Sequence, residues 1–395
     1  MTSSAPRPGD DGQNAPPALL TVLGQWGRIG CIGFGGPPTH IKMLRQLCVE
    51  RRRWMGPAEF EDAIATCNLL PGPASTQLAI YCAWRVRGRR GALVGGGAFV
   101  VPGLILILAL SALFLAGSPP RWVLGAGAGA GAAVAAVAVQ AGTSLMPASW
   151  SRRHHTTGWT VYLVAGGVSA ATMGPWLVLT LLGCGFVELA TRRESQTGSH
   201  SRAFMPLPLL ATAVASSSAV LTLCWVAFKV GALSYGGGFV IVPIMQHDAV
   251  ATFHWMTAAQ FLNAVALGQI TPGPVVQTVA VVGYAAAGLG GALLSSAVAF
   301  APSFAFVLLG ADRFKQIRGN HRARAFLDGA GPAAIGAILG SAIPLARALT
   351  QPWQYVVLAA AALLLLPLRR GVVPTLLCAG LAGTLIALAG GPLPH

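Results

Sequence analysis

The chain has 395 residues, 54% of them apolar and 9% charged, with a mean hydropathy of +0.65. Soluble domains carry about 25% charged residues, so this composition excludes a soluble enzyme and predicts an all-α polytopic membrane protein. The net charge of +15 sits in short loops between apolar runs, where basic residues mark the cytoplasmic side of a bilayer and not a nucleic-acid surface.

In chain order, residues 1–16 are polar and read as a disordered tail with no cleavable signal peptide. A span is predicted over 17–36, then a basic amphipathic stretch over 37–53. An apolar segment over 57–84 is broken by Pro71-Gly72-Pro73. Spans follow at 91–116, 121–146, 158–173 and 175–190, with Gly174-Pro175 marking a turn between the last two. Residues 191–205 form a polar cytoplasmic linker. The second half repeats the order, with spans at 207–237, 289–310, 325–346, 353–368 and 372–390 and a broken segment at 257–284. The runs are near the ~20 residues that cross a bilayer. The expected domains are therefore two transmembrane repeats, 17–190 and 206–391. The seven cysteines form no C-x-x-C pattern and read as small apolar filler.

The halves share motifs 201 residues apart. Gly30, Gly35 and Gly36 recur as Gly231, Gly236 and Gly237. Trp54-Met55 recurs as Trp255-Met256, and Pro71-Gly72-Pro73 as Pro272-Gly273-Pro274. Duplicated, glycine- and proline-interrupted apolar segments are the signature of a secondary transporter built from repeats.

Charge then sets orientation. Lys42, Arg45 and Arg51 to Arg53 precede the first broken segment, and Arg85, Arg87, Arg89 and Arg90 follow it. Both its ends face the cytoplasm in this reading, which makes it a re-entrant hairpin with its unwound tip at membrane depth. The second broken segment has no basic flank, so it enters from the other side. Five spans per half place Arg152, Arg153, Arg192, Arg193, Arg369 and Arg370 inside, and an odd number of crossings inverts the second repeat.

Two cations fall within spans, Arg28 and Lys229, at equivalent positions of the repeats. A charge at membrane depth costs about 2.5–3.5 kcal/mol even on the lenient insertion scale. They suggest a central pocket for a small divalent anion, against the plainer reading of snorkelling or pairing with an acid such as Glu188. The helix starting near Pro73 would leave the amides of Ala74, Ser75 and Thr76 free to hold an anion. Ser75, Thr76 and Gln77 add side-chain donors, matched at a spacing of 201 by Val276, Gln277 and Thr278. Asn68 and Gln269, before the breaks, line the same pocket. Glu59, Asp62 and His40 are proton-coupling candidates; Gln260 and Asn263 replace the two acids in the second repeat. His154-His155 has no acid or cysteine nearby, so no metal is expected. No Walker A, Rossmann or H-E-x-x-H motif is present, so no cofactor is expected.

At Gly33-Phe34-Gly35-Gly36-Pro37-x-x-His40, Glu50-Arg51-Arg52-Arg53-Trp54 and Leu70-Pro71-Gly72-Pro73 the chain resembles the chromate ion transporter family. Phe228-Lys229-x-Gly231 through Gly238, and Thr271-Pro272-Gly273-Pro274, carry the resemblance into the second half. It implies a multi-pass protein of the bacterial inner membrane that exports chromate and confers chromate resistance. Asn68 stands where a glutamine is expected in relatives and Tyr235 where a phenylalanine is, which leaves chromate or another oxyanion open as the ligand. Sulfate-like uptake and an anion channel are the alternatives. The expected partners are the oxyanion and the lipid bilayer, with a homodimer left open and nucleic acid excluded. Access would alternate by rocking one repeat bundle against the other.

Overall fold

A computed structural model describes residues 17–153, 155–172, 176–194, 219–234, 239–311 and 321–394. The tail 1–16, most of the linker 191–205, Gly174-Pro175, His154 and the Tyr235–Gly238 stretch with Gly236 and Gly237 lie outside the described residues. The regular structure among the described residues is helical throughout.

The first half opens with α1 (Leu19–Ile32), whose buried face carries Val22, Trp26, Ile29 and Gly30 at helical spacing. Gly35 and Gly36 then take φ of +97° and +73°, left-handed geometry that side chains resist. Pro37 starts α2 (Pro37–Arg45), since a proline's missing N–H costs nothing at a helix start. α2 runs into a π-helical turn over Gln46–Arg51. α3 (Pro57–Cys67) and α4 (Ala74–Phe114) flank the first Pro-Gly-Pro break. α4 is bent, because Arg87 and Gly88 leave helical geometry, Gly88 at φ +62°. α5 (Arg121–Ala132) and α6 (Val134–Trp150) run on through Ala133, followed by α7 (Thr156–Thr172) and α8 (Leu177–Glu194).

The second half follows the same plan. α9 (Ala219–Leu233) precedes α10 (Ile241–Gln246), which runs into a π-helical turn over His247–Thr252. α11 (Ala258–Ile270) leads to the second break, a 3₁₀ turn over Val275–Gln277, and α12 (Thr278–Gly310), bent at Ala287 and Gly288. α13 (His321–Arg347), α14 (Pro352–Leu365) and α15 (Val372–Leu388) complete it. By length and composition Ala74–Phe114, Arg121–Trp150, Val275–Gly310 and His321–Arg347 are each able to cross a membrane.

The duplication goes deeper than the shared motifs. Each π turn is closed by the same bonds: Arg52 N–H to Leu47 O and Met55 N–H to Cys48 O in one half, Phe253 N–H to Asp248 O and Met256 N–H to Ala249 O in the other. Arg53 and His254 follow at φ +52° and +53°. Beyond the breaks the register shortens by one residue, since Gly88 matches Gly288 and Pro102 matches Pro302. The 3₁₀ turn accounts for the slip: three residues rising about 2.0 Å each cover the length of four α-helical residues. Gln277, not Thr278, therefore matches Gln77, and Val275 and Val276 match Ser75 and Thr76.

α7 and α8 are two helices folded back on each other. Tyr162 O–H donates to Glu188 Oε2 at 3.2 Å and Thr180 O–H to Ser169 Oγ at 3.0 Å. On one continuous helix Tyr162 and Glu188 would lie about 39 Å apart.

The halves are interlocked. α13 lies against α6, α7 and α8 of the first half, while α15 lies against α5 and α14 against α6. α1 packs on α4, α9 on α12, and α4 on α12. One layer thus holds α1–α4 with α9–α12 and both breaks, and the other holds α5–α8 with α13–α15. α11 against α5 and α15 is the main joint. The sequence halves are not separable bodies, which corrects the expectation that one repeat rocks against the other.

Candidate functional site

At the first break α3 ends on Asn68, and Gly72 takes φ +119°. α4 starts after Pro73, whose carbonyl accepts Thr76 N–H at 2.9 Å and Gln77 N–H at 3.0 Å. The amides of Ala74 and Ser75 have no acceptor within the helix and lie at its positive end. The Thr76 amide, expected to be free, is engaged. The Gln77 side chain turns back, Nε2 donating to Pro71 O at 2.7 Å.

His40 buttresses this start. Its Nε2 lies 2.8 Å from Gly33 O and its Nδ1 3.3 Å from Ser75 Oγ, with the ring edge-on to Phe99. A carbonyl only accepts, so Nε2 carries the proton and Nδ1 accepts from the Ser75 hydroxyl. His40 and Ser75 therefore hold the turn in place.

At the second break Gly273 takes φ +101°, and its N–H donates to Gly33 O at 3.2 Å, in the other half. Gln277 Nε2 donates to Val100 O at 2.7 Å, also in the other half, and Thr278 O–H to Val275 O at 2.8 Å. Residues 271–280 are all buried, whereas Asn68 and Pro71 of the first break are exposed.

The two breaks contact opposite halves reciprocally. A Cβ on Gly72 would meet Ser303 Oγ at 3.3 Å and Gly231 O at 3.5 Å; one on Gly103 would meet Pro272 O at 2.0 Å and Gln277 Oε1 at 2.5 Å. Six buried side-chain atoms among the described residues lack a hydrogen-bond partner: Thr76 Oγ1, Gln77 Oε1, Ser234 Oγ, Gln269 Nε2, Gln277 Oε1 and Ser303 Oγ. All lie on the breaks or on helices against them, Ser234 three residues beyond Gly231. A buried polar group without a partner costs about 1–3 kcal/mol, so this concentration marks the junction of the breaks as the candidate site.

The structure does not put the two span cations in one environment. Arg28 is exposed. Lys229 Nζ lies 2.6 Å from Asp248 Oδ2, with the two side chains 19% and 9% exposed. Glu188 partners neither cation. It binds Tyr162 and Arg192, and Arg192 also reaches Asp328 at 2.9 Å, tying the first half to the second. Of the expected acids, Glu59 pairs with exposed Arg85 at 2.5 Å, and Asp62 is half-buried on α3. Gln260 caps α11 with Thr257, and Asn263 lies against Gly127 and Gly131. Gly36 approaches Val275, which sets the Gly35-Gly36 turn beside the second break.

Ser303, Ser234 and the Asp248 partner of Lys229 escaped sequence reasoning as site residues. Pro302, at the place of Pro102, was the signal available for Ser303.

Residues 20–189 and 221–385 match the family described as chromate transporter. A chromate transport protein of Cupriavidus metallidurans is 34% identical over 379 residues, covering 93% of this chain and 92% of that protein. One of Pseudomonas aeruginosa is 30% identical over 395 residues, covering 94% and 93%. A probable chromate transport protein of Synechococcus elongatus is 30% identical over 331 residues, covering 81% and 82%. No solved structure matches the chain. With both halves matched and the duplicated helix breaks joined at its centre, the chain belongs to the chromate transporter family and is a multi-pass membrane transporter, not an enzyme.

Proposed function

We propose that the chain is a secondary carrier that exports a tetrahedral divalent oxyanion, chromate first, across the bacterial inner membrane and so confers chromate resistance. The observation that carries this reading is the set of six unpartnered buried polar atoms gathered where the two broken segments meet. The three hydroxyls, of Thr76, Ser234 and Ser303, supply donors to the oxygens of an oxyanion, together with the free amides at the start of α4. Repeats 17–190 and 206–391 run in opposite directions, with the first break entering from the cytoplasm as a re-entrant hairpin and the second from the periplasm. A dianion leaving a negative-inside cell moves downhill by about 2.3 kcal/mol per charge per 100 mV, so the membrane potential suffices to drive efflux. Access alternates by movement of the layer carrying both breaks against the layer of α5–α8 and α13–α15.

Everted membrane vesicles containing the protein are expected to accumulate labelled chromate with saturation, and faster when the lumen is held positive than when the potential is dissipated. Flux that rises linearly with chromate, or uptake only into right-side-out vesicles, overturns export by a carrier. Proton coupling is assigned to Asp62, an acid on α3 at the entry to the first broken segment where the second repeat carries Asn263. Asp62→Asn is then expected to flatten the pH response of transport, and an unchanged response removes that role.

A further inference from the structure

We propose that the oxyanion is held on one side only, at the first break, and that Ser303 from the opposite half completes its site. This rests on the carrier reading above and names the residues of its binding site. The two breaks share a backbone plan but not a donor set. Ser75 and Thr76 stand at the first where Val275 and Val276 stand at the second. Ser303, facing Gly72, stands where Gly103 faces Pro272.

The hydroxyls facing the first break include two without partners, Thr76 Oγ1 and Ser303 Oγ, on residues 0% exposed. At the second break Thr278 Oγ1 and Gln277 Nε2 already donate to carbonyls, which leaves the Gln269 amide, on the helix before it, as its one unpartnered side-chain donor among the described residues. α4 begins directly after Pro73 as a long helix, so its amides and dipole add to the two hydroxyls. The second break starts with a 3₁₀ turn of Val275, Val276 and Gln277 before α12 begins at Thr278, so valines stand at the two positions where the first break carries Ser75 and Thr76.

Access and field point the same way. Asn68 and Pro71 reach the surface, whereas residues 271–280 are buried. Exposed Arg51, Arg52, Arg53, Arg85, Arg87, Arg89 and Arg90 surround the ends of the first broken segment, and a rim of one sign raises the local concentration of anions. The second break holds the fold: Gly273 and Gln277 bond across to Gly33 and Val100.

The test uses the full chain, with chromate flux in everted vesicles and chromate or sulfate protection of the purified protein against heat unfolding. Ser303→Ala is expected to raise the KM for chromate about ten- to a hundredfold, the loss of one hydrogen bond to a charged ligand, with the unliganded midpoint unchanged. Ser303→Thr, which keeps the hydroxyl, restores the wild-type KM to within a fewfold. Thr76→Val raises KM similarly, and Val276→Thr at the second break does not change it. A wild-type KM in Ser303→Ala, or equal damage in Ser303→Ala and Ser303→Thr, overturns the proposal while leaving the carrier reading intact. Wild-type protein that is protected by oxyanion but carries none overturns the carrier reading alone. Protection by neither anion overturns both.

Discussion

Lys229 and Arg28 occupy the same place in the two repeats, and their surroundings decide opposite fates. Lys229 meets Asp248 across the π turn, while the residue matching Asp248 in the first half is Leu47. Arg28 turns to the exposed face of α1. Removing one partner of a buried ion pair strands the other and costs about 3–5 kcal/mol, whereas replacing both with apolar residues is often neutral. Asp248→Leu is therefore expected to lower the heat-unfolding midpoint of the detergent-solubilised protein sharply, and Asp248→Leu with Lys229→Met to recover most of it. An undiminished midpoint in the single variant would show that the pair contributes nothing. The exposed Glu59–Arg85 pair differs, since such pairs contribute about 0–1 kcal/mol, and Glu59→Gln should leave the midpoint in place.

At the scale of the element, the helices meet through glycine. A Cβ on Gly336 of α13 would lie 1.8 Å from Leu163 O on α7, and one on Gly166 of α7 would lie 1.9 Å from Ala333 O on α13. Backbones this close gain dispersion that no larger residue permits, which is how small residues join helices in a medium without a hydrophobic drive. Gly97 of α4, by contrast, has nothing within 4 Å of its Cβ position. Gly336→Ala is expected to reduce folded protein and its melting midpoint, and Gly97→Ala to raise the midpoint slightly through helix propensity, by up to about 1 kcal/mol. Size-exclusion profiles with thermal scans of both variants check the contrast; equal behaviour would refute the close approach of α7 and α13.

For the whole molecule, the exchange of helices between halves fixes what is able to move. A rigid rotation of one sequence half would tear α13 from α7 and α8, and α15 from α5. Relative movement of the two layers strains mainly the joint at α11 and α5. There Asn263 Nδ2 lies 2.7 Å from the Cβ position of Gly127. With Gly127→Cys and Asn263→Cys combined, oxidation is expected to block chromate flux and reductant to restore it, while each single variant stays active. Full flux in the oxidised, cross-linked protein would place the movement elsewhere.

Composition, the spacing of 201 residues and the twin Pro-Gly-Pro motifs were enough to expect helices, two repeats and the positions of both breaks, because each depends on local backbone chemistry or on hydropathy summed over a span, while the family was legible only as a resemblance of motifs. Thr76, Gln77, Gln269 and Gln277, whose buried atoms mark the candidate site, were legible as candidates in the sequence, since helix breaks and nearby polar residues are contiguous in the chain. Only the tertiary structure decided that Lys229 is neutralised by Asp248, that α13 crosses into the first half, and that Ser303 faces Gly72. Those facts depend on which helix face meets which neighbour at long range, and a one-residue slip in register, such as the 3₁₀ turn introduces, changes the partner without changing the pattern.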